Sequence, residues 1–145
     1  MNPRDAHKLL GCHPDVILGV DRVLTTMAAA GHPMMVTDGF RTVTQQVILW
    51  NQGRTTPGPG VTKKRPLGRV VTHADGIRTL SNHQSGRAAD CCFIVAGKPS
   101  WDEALPWDLY GETAEAVGFS WGGRWPKGKT DKPHIELLEV LAQTA

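Results

Sequence analysis

The segment Arg87 to Val95, RAADCCFIV, does most to narrow what this chain can fold into. It is a short apolar run following a turn at Gly86, which reads as a strand buried in a sheet. Asp90 opens its most apolar part, CCFIV, so a carboxylate stands at the start of a core strand. Upstream, SNHQSG supplies His83, and Gly86 allows the chain to turn between the two. A histidine before such a turn and an aspartate just after it can point into one cleft.

The rest of the chain supplies partners for this strand. Apolar residues at Val16, Ile17, Val20, Val23, Leu24 and Met27 recur at helical spacing between Asp15 and Ala30, with Pro14 in the first turn and Gly31 as a stop. Met34 to Thr37 reads as a short strand ended by the turn pair Asp38-Gly39, which puts Arg41 at the mouth of a strand-to-helix turn. A helix is expected from about Thr42 to Gln52, with Val43, Val47 and Trp50 on one face. Ser100 to Tyr110 reads as a connection, Tyr110 to Val117 as a short helix stopped by Gly118, and WGG with Trp125 as a turn-rich segment. His134 to Val140 closes the pattern as a strand or short helix.

Arg54 to Leu80 carries little periodicity and reads as a long loop. Six Lys or Arg against Asp75 make it basic, which suits either a solvated loop or contact with an acidic polymer. Over the whole chain the formal charge is only +2 and the pI about 8.5, below the range that marks a nucleic-acid domain, so no nucleic-acid partner is expected. At 145 residues, without an internal repeat or a linker, one domain spanning 1–145 and a monomer are expected. The 40% hydrophobic content, rising to about half with the 16 Gly, is ordinary for a globular protein and argues against disorder. Neither a secretory signal nor a membrane-length apolar run is seen, so the expectation is cytoplasmic synthesis without membrane insertion. Cys12, Cys91 and Cys92 are odd in number and lack CxxC spacing, and they read as reduced thiols.

A second strand carrying His134 would complete a three-ligand set with His83 and Asp90. Two imidazoles and a carboxylate bind zinc and leave a fourth position for water. His73 is the competing histidine, but it lies in the basic loop without the Gly86 turn or an aspartate partner, and it reads as a surface residue.

The pattern S-x-H-x-x-G-x-A-x-D is met by Ser81, His83, Gly86, Ala88 and Asp90, and D-x-P-H-x-E by Asp131, Pro133, His134 and Glu136. With GFRT at 39–42, Gln46, QGRTTPG at 52–58, VT at 71–72 and WGGRW at 121–125, the chain resembles the zinc peptidases of bacterial cell-wall peptides. That VanY-like family comprises D-alanyl-D-alanine carboxypeptidases and L-alanyl-D-glutamate endopeptidases, the latter common as phage endolysins. The resemblance implies the small α+β fold of the hedgehog and DD-peptidase type, an antiparallel sheet flanked by helices and bearing the metal.

The resemblance further implies His83, Asp90 and His134 as zinc ligands, Asp131 as the catalytic carboxylate and Arg41 as the cation that steadies the carbonyl or the tetrahedral intermediate. Glu136 competes with Asp131 for the base, or orients an imidazole from behind. Gln46 and Ser81 fall among substrate-binding or supporting residues. Trp121 and Trp125 either line a groove or pack over the sheet. If β alternation holds, Cys92 shares the side of Asp90 and raises the question of a fourth ligand, against the alternative of a buried thiol. The expected function is zinc-dependent hydrolysis of the peptidoglycan stem peptide, as an L-alanyl-D-glutamate endopeptidase of endolysin type acting on the wall after release. A D-alanyl-D-alanine carboxypeptidase and a non-catalytic metal-containing binding module are the alternatives.

Overall fold

The computed structural model describes residues 1–52, Thr72, Ala74 and 81–137. These group into two compact units, one formed by Met1–Phe40 with the described residues from Gly86 onward, the other by those within Arg41–Ser85. Most of the expected basic loop, with His73, and everything after Leu137 lie outside the described residues.

The larger unit holds α1 (Pro3–Lys8), α2 (Pro14–Ala29), β1 (Met34–Asp38), β2 (Ala88–Val95), β3 (Lys98–Ser100), α4 (Trp107–Val117), β4 (Ser120–Trp121) and β5 (His134–Glu136). α3 (Val43–Asn51) belongs to the smaller unit. The sheet is antiparallel in the order β1-β2-β5-β4, and β3 folds back on the far end of β2. Helices and one antiparallel sheet thus make the α+β fold read from the sequence.

β2 is central because its apolar run can be buried from both sides. Phe93 packs edge-on against Trp107 with ring centroids 4.8 Å apart, and Trp107 in turn meets Tyr110. Val16, Val20, Val23, Leu24 and Met27 form the buried face of α2, joined in one core by Val36, Ala89, Cys91 and Ile135. Each Val, Leu, Ile or Met among them contributes about 1.5–3 kcal/mol when fully buried. α2 starts where the His13 ring accepts a hydrogen bond from the Asp15 N–H, with Pro14 supplying the first helical position.

α1 was not foreseen from the sequence, although Asn2 as cap and Pro3 in the first turn are its signal. It supplies Asp5, whose buried carboxylate accepts the Val36 N–H at 3.0 Å. That bond occupies a donor on the edge strand β1, beside the irregularity between Val36 and Asp38.

α4 begins one turn earlier than its periodicity suggested. Pro106 stands at the N-cap, where its missing N–H costs no helical bond, and the Trp107 indole N–H is anchored on the Asp102 carbonyl at 2.9 Å. WGG resolves into β4 and a 3-10 turn over Gly122–Arg124. α3 has the capping box of Thr42 and Gln45, but its expected apolar face is not the buried one: Val43 is 53% exposed, while Gln46 and Asn51 are buried. Hydrogen bonding decides this orientation, because the Gln46 amide binds Arg41, Thr72 and Ala74.

The β2–β3 hairpin turns through Ala96 and Gly97, and Ala96 sits at φ 51, a left-handed conformation that an alanine adopts at a cost. Ala96→Gly is expected to raise stability by about 0.5–1 kcal/mol, the strain relieved less the extra freedom given to the unfolded chain. The urea midpoint should rise at unchanged slope; an unchanged or lower midpoint contradicts this reading.

Candidate metal centre

The first histidine is set by a tight turn. The Ser81 hydroxyl accepts the His83 N–H at 3.2 Å, the Gln84 side chain accepts the Ser81 N–H at 2.9 Å, and the Gln84 N–H returns to the Ser81 carbonyl. The His83 carbonyl takes the Arg41 N–H at 2.9 Å, and the side chain is buried, at 3% exposure. Ser81 is therefore a turn former. Gly86 follows at φ 72, and a Cβ there would run into the Gly11 carbonyl, so both conformation and space demand glycine.

The second and third donors are set by strand register. In the β2–β5 ladder Asp90 lies directly opposite His134, and cross-strand partners share a face. Asp90 Oδ1 accordingly stands 3.2 Å from His134 Nδ1. Glu136, two residues along β5 and on the same face, brings Oε1 to 2.8 Å from the other ring nitrogen, Nε2. Trp125 is half-buried against the imidazole, with centroids 4.8 Å apart and planes tilted by 46°.

The segment leading into His134 is held carbonyl by carbonyl. The Asp131 N–H donates to the Gly122 carbonyl at 3.0 Å, the Trp121 indole N–H donates to Lys132 at 2.8 Å, and the Tyr110 hydroxyl and Cys91 N–H both donate to Pro133. Gly122 is obligatory here, since a Cβ would collide with the Asp131 carbonyl. Trp121 itself is buried in the core. Asp131 is half-buried, three residues ahead of His134, and its carbonyl accepts the His134 N–H at 3.2 Å.

The ligand atoms of His83, Asp90 and His134 all lie within 4.8 Å of one another. Two imidazoles and a carboxylate at this separation suit a zinc ion, with three protein ligands and one open position. The charge balance agrees. Burial alone would hold the His134 ring neutral, but hydrogen bonds to Asp90 and Glu136 and the nearby charges of Asp90 and Asp131 push it up to about 9. The centre is thus a largely buried cluster whose carboxylates favour a cation, a proton on His134 when no metal is bound. Among the described residues no cysteine joins the group. Cys92 is fully buried in the core, all three thiols are free, and burial raises each of them.

Arg41 is buried in the smaller unit, where its guanidinium donates to Gln46 Oε1 at 2.6 Å. The same amide donates to Thr72 Oγ1 at 2.9 Å and to the Ala74 carbonyl at 2.8 Å. Every polar atom of Gln46 is engaged, which fixes the guanidinium beside it.

Known proteins resemble this chain in sequence and in fold. Residues 75–137 match the family profile described as D-alanyl-D-alanine carboxypeptidase. The peptidoglycan L-alanyl-D-glutamate endopeptidase CwlK of Bacillus subtilis is 33% identical over 135 residues, spanning 87% of this chain and 73% of that protein. Among solved structures, the L-Ala D-Glu endopeptidase ChiX of Serratia marcescens is similar in fold, with a TM-score of 0.62 at 23% identity, over 94% of this chain and 88% of that one. VanYB in complex with D-alanine-D-alanine is also similar, with a TM-score of 0.58 at 18% identity, over 92% and 75%.

One zinc per chain is expected, with His83→Ala and Asp90→Ala each losing metal content and stability, because metal binding is coupled to folding. Zinc uptake at pH 7.5 should release roughly one proton from His134, read by calorimetry in buffers of different ionisation enthalpy. Without metal, the imidazolium stabilises the fold fully below about pH 6.5 and loses that contribution as pH rises through about 9. Zinc binding with no proton release would contradict the charge balance.

Proposed function

This chain belongs to the family of zinc-dependent peptidases of peptidoglycan peptides that includes D-alanyl-D-alanine carboxypeptidases and L-alanyl-D-glutamate endopeptidases, and we propose that it is an L-alanyl-D-glutamate endopeptidase. The observation that carries the choice of bond is the 33% identity to CwlK, which extends well beyond the metal motifs.

Held by His83, Asp90 and His134, zinc supplies Lewis-acid polarisation of a peptide carbonyl and acidifies water. The chain's own residues divide the remaining work. Asp131 takes the proton of the attacking water and delivers it to the leaving amine, and the carbonyl bonds that hold residues 131–133 keep this carboxylate in register with His134. Arg41, immobilised by Gln46, places a fixed positive charge for the oxygen that becomes negative. Trp125, on the His134 ring, forms part of the wall met by the stem peptide. An endolysin role is part of the proposal, with the chain made in the cytoplasm, acting as a monomer and reaching the wall after release. No helix among the described residues is long and apolar enough to cross a membrane.

Digestion of purified peptidoglycan followed by mass analysis tests the bond. New amino-terminal D-glutamate is expected; release of terminal D-alanine instead would make the chain a carboxypeptidase. Asp131→Ala should keep its zinc while turnover falls by about 10²–10⁴. Arg41→Ala should likewise keep the metal and lose turnover. An active Asp131→Ala beside a metal-loaded, inactive Glu136→Ala would exchange the roles of the two carboxylates.

A further inference from the structure

We infer that Glu136 is a positioning residue: by accepting the His134 Nε2–H it fixes the imidazole tautomer and leaves Nδ1 as the atom turned to the metal. A neutral imidazole carries one N–H and one lone pair, and only the lone pair binds a metal. A carboxylate accepts hydrogen bonds and has no proton to give, so its partner nitrogen must be the protonated one. Glu136 stands 2.8 Å from Nε2, and Asp90, itself a ligand, stands 3.2 Å from Nδ1. The two carboxylates therefore sort the two nitrogens.

The fold is built to hold this arrangement. Glu136 is only 7% exposed, and its neighbours across the ladders are Ala88 on β2 and Ser120 on β4, both small. The carboxylate reaches the ring of its neighbour two residues back. His134 is buried too, with Trp125 against its ring, so turning the imidazole over would break the Glu136 bond and disturb a packed aromatic pair. An anionic acceptor behind a histidine ligand also raises its basicity and hence its hold on the ion.

The inference rests on the zinc reading of the centre, and the test separates the two. In zinc-loaded wild-type protein, ¹⁵N–¹H correlation of the histidine rings should show the proton of His134 on Nε2. Competition with a chromophoric chelator should give Glu136→Ala a zinc affinity about 10–100-fold weaker than wild type. Glu136→Gln should recover most of that loss, since its amide oxygen still accepts the N–H. A proton on Nδ1 of the loaded protein overturns the inference, as does a Glu136→Ala protein that binds zinc as tightly as wild type. Glu136→Gln as weak as Glu136→Ala overturns it too, since charge alone would then be at work. Should Glu136→Ala fail to fold, the wild-type spectrum and the Glu136→Gln affinity decide. A wild type that binds no zinc defeats the zinc reading itself.

Discussion

Pairing of β2 with β5 in a single register is the constraint on which the centre depends. Side chains alternate across a strand, so a slip by one residue would send Asp90 and His134 to opposite faces. Two features hold the register. Ile135 and Ala89 pair in the core between the charged positions, which ties the alternation to apolar burial. The Pro133 carbonyl meets both the Cys91 N–H and the Tyr110 hydroxyl, fixing where β5 enters the sheet. A metal ligand is thus positioned by the same ladder that closes the core.

Polar satisfaction explains how so many charged groups are tolerated at low exposure. Asp5 accepts the Val36 N–H, Gln46 uses its whole amide, and Glu136 faces a ring nitrogen. Each buried group that lost its partner would cost about 1–3 kcal/mol, more for a charged one, so these residues specify the arrangement rather than merely decorate it. Glycine does related work by absence of a side chain. Gly86 and Gly122 admit close backbone approaches, of the Gly11 carbonyl to the one and of the Asp131 carbonyl to the other.

Much of the centre was legible because its donors are tied to local signals. His83 precedes a glycine turn, Asp90 opens an apolar run, and His134 begins a short strand after a proline. Those features act over a few residues and survive in a linear reading. α3 is less legible for the opposite reason: Val43, Val47 and Trp50 have helical spacing, yet the buried positions are Gln46 and Asn51, and the partners of Gln46, Thr72 and Ala74, are 26 and 28 residues away. Periodicity counts apolar residues and is blind to a polar side chain buried through distant hydrogen bonds. Cys92 is the converse, since alternation put it on the side of Asp90 and only packing against the core removed it from the donors.

The sequence by itself determined the chemistry: two imidazoles, a carboxylate, the turns and strand starts that carry them, and the α+β class in which they act. Those are properties of residue type and short-range spacing. The tertiary structure alone decided which nitrogen of His134 faces which carboxylate, that Glu136 stands behind the ring, and that Trp121, Tyr110 and Cys91 grip the backbone leading to it. Such choices depend on which strands become neighbours and in what register, and that is set by the summed burial of a core whose members lie as far apart in the chain as Leu9 and Ile135.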